Sequence, residues 1–232
     1  MKIVSISDTH NKHKQVKIPD CDLLIHAGDA TFKGRESEIR DFAKWFAKQP
    51  AKYLVWIPGN HEEIFEYHLD NLATEDGETN WFHQECPTAH MLINDSVVIE
   101  GVKIYGSPVQ PWFHDWAWNI ARGEPIRKIW DKIPLDTDIL VTHGPVHGIL
   151  DEVVRADGTS HNPPNLAGCE ELLIAVQRVR PAIHICGHIH CGYGEKHVDG
   201  ISYYNSAICD EMYYPSNAPH VIEFNPNERK TK

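Results

Sequence analysis

No stretch of this 232-residue chain approaches the ~20 consecutive apolar residues that a membrane-spanning helix needs. Met1 and Lys2 are followed by only Ile3-Val4-Ser5-Ile6 before polar residues, which is too short for the apolar region of a secretory signal. A CxxC pair is missing as well. The six cysteines (Cys21, Cys86, Cys169, Cys186, Cys191, Cys209) are scattered, so reduced thiols and a cytoplasmic location are expected rather than a disulfide framework. Cationic excess is also lacking: 22 Lys and Arg stand against 33 Asp and Glu, a formal charge of −11. That balance disfavours long nucleic acid, whose phosphates need clustered basic side chains. The local exception, Lys12, Lys14 and Lys17 with Lys33 and Arg35, reads either as a phosphate-attracting patch or as a solvated turn. Internal repeats, low-complexity tracts and linkers are absent too, which predicts a single domain over 1–232.

The pattern that is present alternates strands with helices. Ile3–Ser7, Asp22–His26 and Tyr53–Ile57 are short β-rich runs, Asp138–Thr142 is apolar enough to be a strand buried on both faces, and Ala182–Cys186 is a strand that stops at Gly187. Met91–Ile93, Val97–Ile99, Lys103–Tyr105 and Val221–Phe224 read as further strands, and Val198–Asn205 as a hairpin around Asp199-Gly200. Glu36–Lys48 places Ile39, Phe42, Ala43 and Phe46 at helical spacing, with Pro50 as a stop. Cys169–Val179 and Ile126–Ile133 are the other helices, and Leu150–Ala167 is a polar loop. The fold class predicted from this order is α/β.

Five of the strand ends carry potential metal ligands: Asp8 with His10, Asp29, Asn60, His143, and His188 with His190. Functional crevices of open α/β sheets form where strands end at their carboxyl side. Residues two apart in extended backbone point the same way, so Asp8/His10 and His188/His190 can each aim both members at one site. Taken singly, Asp8-Thr9-His10 is also an ordinary capped turn, Gly28-Asp29 an ordinary turn, and Asn60-His61 a helix cap before Ile64. Their joint placement after strands is what favours ligation.

The series Asp8-Thr9-His10, Gly28-Asp29, Gly59-Asn60-His61-Glu62, His143 and Gly187-His188-Ile189-His190 resembles the motif order of the calcineurin-like metallophosphoesterase superfamily. Gly106-Ser107-Pro108, Gln110-Pro111-Trp112-Phe113, Thr142-His143-Gly144-Pro145 and the continuation Cys191-Gly192-Tyr193-Gly194 are similar to its metallophosphoesterase-domain-containing branch, from Lys2 to about Phe224. Cys191 stands where many relatives have an acidic residue. The resemblance implies a four-layer αββα sandwich of two mixed sheets flanked by helices, with a dinuclear metal site at the strand C-terminal ends.

It further implies that Asp8, His10, Asp29 and His190 hold one metal and Asp29, Asn60, His143 and His188 the other, with Asp29 bridging. Imidazole and oxygen donors suit Mn above all, or Fe, Co, Ni or Zn, better than Ca or Mg. Two such ions lower the pKa of a bridging water, which then attacks phosphorus as hydroxide. His61 is left as a donor to phosphate or to the leaving alkoxide, with Glu62 either orienting its ring or favoured as a first-turn carboxylate. Asn11 is a candidate phosphate contact. Trp112, with Phe113, Trp116 and Trp118, forms either a stacking wall for a nucleobase or a lid packed on the second sheet.

Two divalent ions, two aspartates and one hydroxide sum to about +1, which a diester monoanion neutralises and a monoester dianion overshoots. A phosphodiesterase for small diesters is therefore expected, with 2′,3′- or 3′,5′-cyclic nucleotides favoured by the branch resemblance. A phosphomonoesterase is the alternative, and a non-catalytic metal-binding scaffold the alternative of a different class.

Overall fold

The computed structural model describes residues 1–67, 81–155 and 157–225. In chain order the first half contains β1 (Lys2–Ile6), β2 (Cys21–Ala27), α1 (Glu36–Phe46), β3 (Ala51–Ile57), α2 (Glu63–Tyr67), α3 (Trp81–Glu85) and β4 (His90–Met91). There follow β5 (Asp95–Ile99), β6 (Val102–Ser107), the short β7 (Gln110–Pro111) and β8 (Asn119–Ile120), α4 (Glu124–Trp130) and β9 (Ile139–Thr142). The last third holds β10 (Glu152–Val153), β11 (Asn165–Leu166), α5 (Glu170–Val179), β12 (Ile183–Cys186), β13 (Gly194–Val198), β14 (Ile201–Asn205) and β15 (His220–Glu223).

Two large mixed sheets result. The first runs β15-β1-β2-β3-β4, with β15 antiparallel to β1 and the rest parallel. The second runs β13-β14-β12-β9-β6-β5, a parallel centre with an antiparallel strand at each edge. Alternation along the strands separates three cores. Ile3, Ile25 and Val55 meet Ile104, Val141 and Ile185 between the sheets. Val4, Leu24 and Trp56 face outward onto Ile39, Phe42 and Phe46 of α1. Tyr105, Leu140 and Tyr203 pack beneath Ile126 and Trp130 of α4 and Leu172 and Val176 of α5. The layers are therefore α, β, β, α, as the resemblance implied. Each fully buried side chain of the size of Phe42 contributes roughly 1.5–3 kcal/mol by leaving water.

Strands buried on both faces are largely apolar, with buried polar exceptions such as His26 and His184, which is why their runs stand out in the sequence. Where pairing rests on backbone bonds alone, the sequence was silent. The expected polar loop Leu150–Ala167 contains the two-residue ladder of β10 with β11, although residue 156 lies outside the described residues. The aromatic stretch after Gly106 contains the ladder of β7 with β8. The expected hairpin has its turn at Asp199-Gly200, but its first arm begins at Gly194. Among the described residues no helix is long and apolar enough to cross a membrane.

Candidate metal centre

Both sheets deliver their parallel strands to one edge of the sandwich. β1 leads into Asp8 and His10, β2 into Asp29, β3 into Asn60, β9 into His143, and β12 into His188 and His190. The turns are sharp: Asp8 (φ 51°), His10 (φ 40°), Asp29 (φ 53°) and His188 (φ 66°) all adopt the left-handed region. That conformation costs a side-chain-bearing residue about 1–2 kcal/mol, and such strain collects where a site demands it. Close approach adds a second demand. A Cβ on Gly28, itself at φ +102°, would fall 2.3 Å from His143 Nδ1, and one on Gly187 would fall 2.1 Å from Asp8 Oδ2.

The seven predicted ligand residues come together. Asp8 Oδ1 lies 3.5 Å from His190 Nε2 and 3.9 Å from His10 Nε2. Asp29 Oδ2 lies 3.3 Å from His143 Nε2 and 3.9 Å from His10 Nε2, facing both halves of the set. His188 joins Asp29 and His143 in a group of donor atoms all within 4.8 Å, as His190 joins Asp8 and His10. Asn60 Oδ1 is 3.0 Å from His143 Nε2. Two adjacent clusters of imidazole and carboxylate donors, with Asp29 Oδ2 facing both, fit two divalent ions, and the donor chemistry suits first-row transition metals.

The donors are oriented from behind. His143 Nδ1 donates to Ala27 O at 3.0 Å and His190 Nδ1 to Asp210 O at 2.9 Å, which turns Nε2 of each ring toward the site. His188 N donates to both carboxylate oxygens of Asp8, at 3.1 and 2.9 Å, and His61 N to Asp29 Oδ1 at 2.9 Å.

His61 Nδ1 donates to Phe32 O at 2.8 Å, leaving Nε2 aimed inward 3.7 Å from Asp29 Oδ2. Glu62 does not hold this ring. Its carboxylate accepts from Gly59 N (2.7 Å), Asp29 N (3.0 Å), Thr31 N (2.9 Å) and Thr31 Oγ1 (2.7 Å), stapling the β2 and β3 loops together. Of the two roles the sequence offered for Glu62, orienting the ring is not what the structure shows; the fully buried carboxylate, directly before α2, is taken up by these four bonds. Burial, then the charge of Asp29, pushes Glu62 up to about 7.

Two buried carboxylates need counter-charges. Burial alone would push Asp8 up, but the hydrogen bond to His190 and the charge on His143 hold it well below the usual carboxylate range. Asp29 is held low in the same way, against burial, by His143 and His61. Burial pulls on His143 in the other direction, yet the Asp29 carboxylate raises it to about 9. His190 rises to about 9 against burial because it bonds Asp8. Burial takes His10 down to about 4 and His188 down to about 3. In the metal-free protein, protons on His143 and His190 stand in for cations.

A cavity of about 400 Å³ opens over this centre, lined by His10, Asp29, Asn60, His61, His188 and His190 on its floor. Trp112, 63% exposed, and Phe113 stand at its mouth, with Phe113 edge-on to His188 at 5.5 Å. Trp116 lies 4.4 Å from the His61 ring, whereas Trp118 turns inward into the core beneath α1. The aromatic stretch thus divides between wall and core. Asn11 does not line the cavity: its amide donates to Glu38 Oε1 at 2.5 Å. Tyr213, absent from the sequence reading, packs edge-on over His10 at 4.9 Å and His190 at 5.4 Å. Glu211 and Arg122 also line the cavity. These three carry no spacing signal, because loops far apart in sequence bring them there.

A pair of packed mixed sheets with carboxylate and imidazole donors gathered at their strand ends defines a binuclear metallohydrolase. The profile of the calcineurin-like phosphoesterases matches residues 1–192, and the chain belongs to that family as a metal-dependent phosphoesterase. Metallophosphoesterase domain-containing protein 1 of Homo sapiens is 38% identical over 236 residues, covering 96% of this chain and 70% of that protein. A UPF0046 protein of Caenorhabditis elegans is 33% identical over 220 residues, covering 91% of this chain and 71% of that one. The solved phosphopantetheinyl hydrolase of Mycobacterium tuberculosis shares the fold at a TM-score of 0.57 and 15% identity, covering 97% of both chains.

Proposed function

We propose that the protein hydrolyses small phosphodiesters, with 2′,3′- or 3′,5′-cyclic nucleotides as the substrate class and Mn as the metal. The observation that carries this reading is the roomy cavity above the donor cluster, lined by the aromatic side chains of Trp112 and Phe113. Its volume exceeds what a phosphate alone needs, and flat aromatic walls suit a nucleobase. Charge supports a diester: two divalent ions against Asp8, Asp29 and one hydroxide leave about +1, which a monoanion neutralises. The net charge of −11 speaks against long nucleic acid as the partner. The six free cysteines accord with a cytoplasmic location.

Asp8, His10, Asp29 and His190 would hold one ion and Asp29, Asn60, His143 and His188 the other. Bound there, two divalent ions supply Lewis acidity toward the phosphoryl oxygens and a nucleophilic water at neutral pH. The chain's own residues do the rest. Because His61 Nδ1 is committed to Phe32 O, only the cationic ring has a proton on Nε2 to give to the departing alkoxide. Trp116 against that ring, and Trp112 with Phe113 across the mouth, orient the alcohol portion and limit access of bulk water.

The test is hydrolysis by metal-stripped protein to which Mn is restored, on bis-p-nitrophenyl phosphate, p-nitrophenyl phosphate, and 2′,3′- and 3′,5′-cyclic AMP. Metal-dependent turnover favouring the diesters is expected. Preference for the monoester would make it a phosphatase, and silence with every transition metal a scaffold.

A further inference from the structure

Two histidines outside the donor set repeat one arrangement. His26 on β2 and His184 on β12 are enclosed, at 0% and 1% exposure. His26 Nε2 lies 3.0 Å from Thr9 Oγ1, and that hydroxyl donates to Ala30 O at 3.3 Å. His184 Nε2 lies 2.8 Å from Thr142 Oγ1, and that hydroxyl donates to Gly144 O at 2.7 Å. A carbonyl only accepts and a hydroxyl has one proton, so each threonine proton is committed to its carbonyl. Each imidazole must then donate from Nε2. The same tautomer is imposed twice, and Nδ1 of both rings has no hydrogen-bond partner among the described residues. His26 lies edge-on to Phe42 at 5.0 Å and His184 edge-on to Tyr203 at 5.7 Å.

A buried acceptor left unpaired is unfavourable and calls for a reason. The reason lies in what the threonines flank. Thr9 sits between Asp8 and His10, and Ala30 follows Asp29, so the first relay ties the end of β1 to the end of β2. Thr142 and Gly144 bracket His143, so the second ties the end of β9 to β12, the strand that continues into His188 and His190. We propose that His26 and His184 are positioning residues, each holding through one threonine hydroxyl the backbone of one half of the metal-donor set. His26 serves the Asp8 and His10 half, and His184 the His143 half. This rests on the two-metal reading of the site. A buried Lys or Arg would also donate, but it would set a fixed positive charge behind two divalent cations. Burial pushes both rings down to about 3, so they stay neutral donors at working pH.

The test combines His26→Leu and His184→Leu with the donor-restoring His26→Gln and His184→Gln, titrating Mn into metal-stripped protein by calorimetry. Each Leu variant is expected to weaken a different one of the two binding events, by 10–100-fold, with the Gln variants close to wild type. Unchanged affinities in both Leu variants would overturn the proposal. So would equal loss at both events without rescue by Gln, which marks a general structural role. Nitrogen NMR of the wild-type metal-free and zinc-loaded protein gives a readout independent of variant folding. Protonated Nε2 and bare Nδ1 in both rings are expected, and an Nδ1 proton on either would refute its relay. If the wild type took up no metal, the two-metal reading would fail by itself, and the tautomers would still decide the relays.

Discussion

Replacing Gly187 by Ala isolates the geometric demand of the centre. The added Cβ would fall 2.1 Å from Asp8 Oδ2 and Ser7 Oγ and 2.6 Å from Ser7 Cβ, against ordinary contact at 3.4 Å or more. Asp8 or the Gly187 backbone must therefore move by about 1.3 Å, judged from the shorter contacts. Asp8 has little freedom to comply, because both its oxygens accept from His188 N at 3.1 and 2.9 Å, and His188 is itself a donor. Overpacking of this kind costs about 1–3 kcal/mol of stability. A displacement near 1 Å at reacting groups costs about 10²-fold in rate. Gly101→Ala is the control: unlike Gly187, Gly101 has positive φ (81°), but its Cβ would meet nothing within 4 Å. It should lower Tm through backbone strain and leave metal content and turnover untouched. Metal analysis, turnover of bis-p-nitrophenyl phosphate and thermal melts of both variants complete the assay. Full metal occupancy and wild-type turnover in Gly187→Ala would refute the claim that the glycine is there to seat Asp8.

Asp29→Asn should lose both metals together and nearly all turnover, since Asp29 Oδ2 faces both donor groups; retention of either ion in metal analysis would remove its bridging role. His61→Gln should keep both metals but slow the chemical step by about 10²–10⁴, and metal loss in that variant would make His61 a ligand instead. His143 and His190, raised to about 9, are protonated in the metal-free protein at pH 8, so metal uptake there should release about two protons. Their contribution to metal-free stability is full below about pH 6.5 and is lost as pH rises through about 9. Calorimetry in buffers of different ionisation enthalpy measures the release, and a value near zero at pH 8 would contradict the counter-charge role. Trp112→Ala should raise KM for cyclic nucleotides about 5-fold or more without altering metal content, as loss of a base-stacking contact of about 1–3 kcal/mol would; an unchanged KM would leave Trp112 a bystander.

The helix over 36–46 was readable because its buried residues Ile39, Phe42, Ala43 and Phe46 recur at helical spacing. The strand ends were readable because the central strands β2, β9 and β12 are mostly apolar and each is followed within two positions by Asp29, His143 or His188. Neither signal reaches across the chain. Trp112 and Trp118 are six positions apart in one aromatic stretch, yet one stands at the cavity mouth and the other lies in the core, because the β7–β8 ladder turns the chain between them. Glu62 beside His61 suggested a local partnership, but three of its four bonds run to Asp29 and Thr31, on the neighbouring loop.

The sequence by itself determined which residues can bind metal and that they follow strands, since both are properties of residue type and local periodicity. The resemblance implied a shared Asp29, and the tertiary structure alone set its distances to both donor groups. It alone set Phe32, Ala27 and Asp210 carbonyls behind His61, His143 and His190, and Tyr213 over His10. Those contacts join backbone carbonyls and loops separated by tens to hundreds of residues. A carbonyl is the same in every residue, so its selection leaves no mark on the sequence until two sheets bring their strand ends to one edge.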